Sequence, residues 1–104
     1  MRAAAAQDQL AMSAINHSEV VQKLAIRKIG IDLVENVMDE LGIAIVPFTH
    51  KLSIKTANFF RARSGLSLAN RACLATADEL NAVALTADKA WLNIDFGVRV
   101  TSIR

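Results

Sequence analysis

Leu85-Thr86-Ala87-Asp88-Lys89-Ala90-Trp91 follows directly on Val83-Ala84 and converts an apolar run into a carboxylate, then an aromatic. Val83 to Thr86 is short, apolar and β-branched at both ends, the pattern of a buried strand. Asp88 comes two residues after Thr86, at the strand's end, and Lys89 to Ile94 reads as a short helix. In an open parallel sheet, ligands bind beyond the carboxyl ends of the strands. A carboxylate placed there is therefore either a site residue or the N-cap of the helix that follows. Spacing alone leaves both readings open.

The same alternation extends in both directions. Downstream, Asp95-Phe96-Gly97 is a turn and Val98 to Ile103 a last strand. Upstream, Ser67 caps a helix running from Leu68 to about Asn81, and Ser64-Gly65 breaks the helix before it. That earlier helix is capped by Thr49 and turns Leu52, Thr56, Phe59 and Phe60 inward. Ile43 to Val46 is a strand closed by Pro47. Asp32 and Glu35 have the spacing of a capping box for a helix with an apolar stripe of Val34, Val37, Met38 and Leu41, ended by Gly42. Leu10 to Ile15 reads as a first strand and Asn16 to Glu19 as a helix start, with Val20, Val21, Leu24 and Ala25 at helical spacing and Gly30 as the stop. The resulting order, β-αα-β-αα-β-α-β, implies an α/β fold: a mostly parallel sheet with helices on both faces.

Composition narrows the function classes. The chain has 104 residues, the size of one small domain. Hydrophobic residues make up 53%, enough for a core and against disorder. A single Cys excludes a disulfide framework and a Cys-based zinc site, and fits a reducing compartment. The net charge of +2 permits nucleic-acid binding without arguing for it. No apolar run is long enough to span a bilayer, and the opening MRAAAAQDQL lacks a signal layout, so a cytoplasmic location with no membrane partner is expected. His17-Ser18-Glu19 has the H-x-E spacing of zinc deaminases, but the P-C-x-x-C that must accompany it is absent. No Gly-rich phosphate loop is present, which argues against a nucleotide cofactor.

Three sequence points fall where the carboxyl ends of strands are expected: Glu19, Asn70 in the first turn of the Ser67-capped helix, and Asp88. Arg61, Arg63 and Arg71 lie close to this region in sequence and are candidate phosphate contacts. Lys51 and Lys55 are better read as a solvated helix face. Cys73 sits on an Ala-rich helix as a small core residue. His50 is expected to be exposed. Trp91 is expected to pack under the last strand, with base stacking as the minor alternative.

The stretch GLSLANRACLATADELNAVALTADKAWLNIDFGVRVTSIR, residues 65–104, resembles the C-terminal half of PIN domains, in particular the VapC-type toxin ribonucleases. SAINHSEVVQKL, residues 13–24, resembles the Ser-Ala-x-Asn-x-x-Glu-Val segment of that family. GIAIVPFTHKLSIKTANFFRARSGLSL, residues 42–68, resembles its middle, a Val-Pro-Phe-Asp-like strand end followed by a helix. The resemblance implies one PIN-like domain over residues 1–104, a three-layer sandwich. It implies metal-dependent hydrolysis of RNA phosphodiesters, with acidic side chains gathered at the sheet's carboxyl edge around Mg²⁺ or Mn²⁺. Carried over by position, Glu19 and Asp88 are metal ligands, and Ser13 and Thr86 sit at matching strand ends where they orient a ligand or water. The implied partners are RNA, a second copy of the chain, and an antitoxin protein covering the acidic cleft.

Two departures from the family pattern shape the expectation. The family opens with an apolar strand ending in Asp, and no such strand precedes residue 10. The resemblance thus implies an N-terminally truncated domain lacking its first, central strand and crossover, roughly 20 or more residues. Exchange of a strand between two copies in a homodimer is one way to fill that gap. The second departure is Asn70, which stands where the family's Ser-Leu-Gly-Asp-Arg-Ala segment has Asp. Asn keeps an acceptor oxygen but no charge, so cleavage is expected to be weak or lost. The alternative to an impaired ribonuclease is a degenerate PIN domain that acts as a binding or oligomerisation module. Asp95 is assigned to its turn in preference to the site.

Overall fold

Ser13 stops the first strand and starts the first helix. Its backbone stays extended (φ −65°, ψ 150°) while its Oγ accepts the Asn16 N–H at 3.1 Å and donates to Asn16 Oδ1 at 2.6 Å. A serine in this role satisfies one of the orphan donors of the first helical turn. The strand is therefore two residues shorter than its apolar pattern suggested. The structure, a computed structural model, describes residues 10–86 and 95–102. Its elements are β1 (Leu10–Ser13), α1 (Ala14–Ile26), α2 (Ile31–Leu41), β2 (Ile43–Val46), α3 (His50–Asn58), α4 (Leu68–Glu79), β3 (Ala84–Thr86) and β4 (Val100–Ser102). This is the expected mixed α/β order. The short helix expected over Lys89 to Ile94 lies outside the described residues. The described strands pair in parallel as two two-stranded sheets, β1 with β2 and β3 with β4. The chain divides into two compact units, Met1–Phe48 and Thr49–Arg104. No helix among the described residues is long and apolar enough to cross a membrane.

In the first unit, β1 and β2 run in register from Leu10 opposite Ile43 to Ser13 opposite Val46. Three local expectations are corrected here. Gly30 does not stop α1. The helix ends at Ile26, and Lys28 makes the left-handed turn with φ 62°. Gly30 is extended and is the N-cap of α2. Asp32 and Glu35 consequently form no capping box, because Asp32 already lies within the first turn, where its charge complements the helix dipole. Glu35 reaches instead to within 3.4 Å of His17 Nε2. The apolar stripe also divides: Val34 and Met38, one turn apart, are buried, whereas Val37 and Leu41 are exposed. Gly42 ends α2 as read, at φ 69°, a conformation that only Gly adopts cheaply. The unit holds an open apolar groove of about 360 Å³, whose lining includes Met12, Val20, Leu24, Val34, Met38 and Ile43.

The second unit is built on α4. Ala69, Ala72, Leu74, Ala75, Thr76 and Ala77 are all buried, so this helix is enclosed over most of its circumference. Small side chains let α3 and β3 lie close against it. Thr49 caps α3 through the Leu52 N–H at 3.2 Å, as its spacing indicated. Leu52, Thr56 and Phe59 face inward, but Phe60 does not: it is 63% exposed. The helix ends at Asn58, so the helical spacing that paired Phe59 with Phe60 no longer applies. α4 ends at Glu79, with Asn81 turning the chain at φ 52°. β3 and β4 then pair from Ala84 opposite Val100 to Thr86 opposite Ser102. Lys51 and Lys55 are tied down, not merely solvated. Lys55 Nζ lies 2.9 Å from Asp78 Oδ2 and 3.0 Å from Glu79 Oε1, and Lys51 Nζ lies 3.0 Å from Glu79 Oε2. These contacts clamp α3 to the end of α4. Hydrogen bonds to Asp78 and Glu79 push the Lys55 amine above its ordinary value. Hydrogen bonds from Lys55 and Lys51 hold the Glu79 carboxyl below the usual range.

Leu74 is fully buried, and Leu74→Ala is expected to cost about 2–5 kcal/mol in urea denaturation followed by circular dichroism. Glu79 tests the clamp through pH. Its carboxyl is depressed in the folded state, so its contribution is present above the unfolded glutamate value of about 4.3 and is lost as pH falls through the lower folded value. Glu79→Gln should therefore be less stable than the parent at neutral pH, and the difference should shrink steadily on acidification.

Candidate functional site

Asn70 is positioned by a cap. Ser67 remains extended ahead of α4, and its Oγ accepts the Asn70 N–H at 3.1 Å. The buried alanines that follow anchor the helix, so the half-buried Asn70 side chain starts from a fixed backbone. It offers one carbonyl oxygen and one amide group, with no charge. Arg71 comes next and is also half-buried. Its guanidinium carbon lies 5.8 Å from the centroid of the Phe60 ring, and its Nε is buried with no hydrogen-bond partner among the described residues. One turn on, burial pushes the Cys73 thiol up, which disfavours the thiolate and any nucleophilic role.

The loop between α3 and α4 brings the other two arginines into the same unit. Arg61 Nη1 donates to the carbonyls of Asn58 and Phe60 at 3.1 and 3.0 Å, and its guanidinium lies 5.7 Å from the centroid of Phe96. Phe96 in turn packs against Phe59 with ring centroids 6.4 Å apart and planes tilted by 57°. Arg63 is exposed and adopts φ 60°, a left-handed conformation that costs an L-residue about 1–2 kcal/mol. Among the described residues, none of these three arginines is salt-bridged. Lys51 and Lys55, by contrast, have their charges taken up by Asp78 and Glu79. Asp95 behaves as its turn assignment required: its Oδ1 accepts the Gly97 N–H at 3.0 Å.

The remaining candidates sit as follows. Glu19 is exposed in the second turn of α1. The Ser13 hydroxyl is engaged within its own cap as both donor and acceptor. Thr86 is the last residue of β3. Asp88 and Trp91 lie outside the described residues. Among the described residues, no three His, Cys, Asp or Glu side chains gather into a group able to hold a metal ion. A hard divalent cation takes six or more oxygen ligands, so the described donors do not by themselves make such a site. Sequence reading missed the outward-facing Phe60. The available signal was a Phe-Phe pair at a helix end followed by Arg-x-Arg, where only one ring can turn into the core.

Comparison with known families gives one positive finding. The model of the PIN domain family matches residues 1–97, nearly the whole chain. No curated protein matches it.

The Ser67 cap holds the segment from Asn70 to Arg71 in place. Ser67→Ala is expected to lower stability by about 1 kcal/mol, and Ser67→Asp to retain it, in thermal unfolding followed by circular dichroism.

Proposed function

The chain belongs to the PIN domain family, a mixed α/β, nuclease-like fold, and on that premise we propose that it is a VapC-type toxin ribonuclease homologue whose RNA cleavage is impaired at Asn70. The observation that carries the reading is the family match over residues 1–97. PIN domains generally use divalent metal ions and are commonly metal-dependent ribonucleases. The metal, when bound, supplies an activated water and neutralises charge on the phosphate.

The residues of this chain divide the remaining work. Glu19 and Asp88 are the carboxylates assigned to the cation, Mg²⁺ or Mn²⁺. Asn70 contributes only a neutral oxygen where the family pattern has a third acid. Removing one charge from a cluster of carboxylates lowers their mutual repulsion but weakens their hold on a cation. Folding does not require the acid, because the cap at this helix start uses the Asn70 backbone N–H and the Ser67 side chain. Arg61, Arg63 and Arg71 supply positive charge for the RNA backbone, and their lack of acidic partners among the described residues supports that role. A second copy of the chain and an antitoxin are the protein partners of this reading.

The test is an RNA cleavage assay with added Mg²⁺ or Mn²⁺. The parent should cleave weakly or not at all, Asn70→Asp should gain cleavage by at least about tenfold, and Asn70→Asp with Asp88→Ala should lose it again. Cleavage by the parent that survives loss of both Glu19 and Asp88 would refute the assignment.

A further inference from the structure

We propose that Phe60 is a positioning residue for Arg71: its ring holds the Arg71 guanidinium, one residue from Asn70, ready to receive a phosphate of the RNA backbone. The inference rests on the reading of the chain as an RNA-binding protein and adds the group that sets one of its cations in place.

Arg71 is placed unlike the other cations of its unit. Lys51 and Lys55 have Asp78 and Glu79. Arg61 spends its Nη1 on the carbonyls of Asn58 and Phe60, and Arg63 is exposed. Arg71 is half-buried and pairs with no carboxylate among the described residues, and its Nε is buried with no hydrogen-bond partner. What meets it is the Phe60 ring, whose centroid lies 5.8 Å from the guanidinium carbon, within cation–π range. Arg71 also stands at the start of α4, whose first turn carries no acid, so its charge adds to the positive end of the helix dipole. Buried donors in folded proteins are seldom left unmatched without a reason. An unmatched donor on a cation, at a helix end that is itself positive, calls for an anion.

The ring comes from the segment just after α3 and the guanidinium from α4, so the contact ties a loop residue to a fixed helix. Phe60 remains 63% exposed, and burial alone does not account for where it lies. A free arginine side chain must surrender many rotamers to grip a phosphate, and a ring that already confines it removes part of that cost. The buried Nε is closed to an outside ligand, which leaves the two terminal nitrogens, a fork that matches two phosphate oxygens. A carboxylate would hold the same guanidinium but would compete with the phosphate for its donors. A ring attracts the cation through its quadrupole and leaves those donors open. Phe60 therefore acts through Arg71 and needs no contact of its own with the RNA.

Two measurements on the full chain, without added divalent metal so that cleavage does not intervene, test this. Nuclear magnetic resonance of the arginine Nε–H groups reads the placement itself. The Arg71 signal should carry the ring-current shift of Phe60 in the parent and in Phe60→Tyr, and move toward that of a free arginine in Phe60→Leu. Fluorescence anisotropy reads the consequence, with a labelled oligouridylate and an abasic oligomer of the same backbone as probes. Arg71→Gln should weaken both and lower the slope of log affinity against log salt by about 0.7. Phe60→Leu should weaken both by about two- to fivefold, Phe60→Tyr should match the parent, and Phe60→Leu should cause no further loss in the Arg71→Gln background. Unaltered far-ultraviolet circular dichroism confirms that each variant is folded. An Arg71 signal indifferent to Phe60→Leu, or unchanged binding of both probes by that variant, overturns the proposal and leaves the ribonuclease reading intact. A loss confined to the oligouridylate, or one that persists in the Arg71→Gln background, also overturns it, because the ring would then touch the RNA directly. A parent that binds neither probe removes this inference and the RNA reading together.

Discussion

Close approach of backbone to backbone around α4 is the constraint on which the second unit depends. Four alanines and two larger side chains, Leu74 and Thr76, make up the buried surface of that helix. Alanine leaves no room for slack: the neighbours must come within van der Waals distance of the helix or leave a void. Where α3 and β3 lie is set by this demand, and the first turn of α4, with Asn70 and Arg71, is held with them. The candidate site is thus attached to the most tightly enclosed element of the unit and not to a free loop.

Electrostatics then separates two groups of cations that look alike in the sequence. Lys51 and Lys55 project from α3 toward the C-terminal end of α4 and meet Asp78 and Glu79 there. Paired in this way, they hold two helices together and are not free to meet a polyanion. Arg61, Arg63 and Arg71 lie toward the other end of the same two helices, where the described residues supply aromatic rings and carbonyl oxygens but no carboxylate partner. Arginine suits such a place, since its planar guanidinium stacks on rings and still presents donors to phosphate.

Asn70 enters the fold through its backbone more than through its side chain. A helix start needs a side-chain acceptor at the cap and a backbone donor three residues on, and Ser67 with the Asn70 N–H provides both. Any side chain compatible with a helix can occupy that third position. An acid there would add a favourable interaction with the helix dipole, but the cap does not require it.

Much of the fold was legible in the chain itself. Short apolar runs alternating with amphipathic stretches defined a parallel α/β protein, because side-chain periodicity follows directly from backbone geometry. The caps at Thr49 and Ser67, the turn at Asp95 and the left-handed stop at Gly42 were equally local, each involving residues two to four apart. Glu19, Asn70 and the three arginines were singled out from their position in that order and from the family resemblance. What the sequence did not determine was which of two neighbouring residues takes a given place. Gly30 and Lys28 were both able to turn the chain, and the one that did so was Lys28. Val34 and Val37 share an apolar stripe, yet only the first is covered. Phe59 and Phe60 compete for a single place against Phe96, and the end of α3 at Asn58 settled it. The covering of Val34 and the packing of Phe59 on Phe96 rest on atoms distant along the chain, so there only tertiary packing chooses.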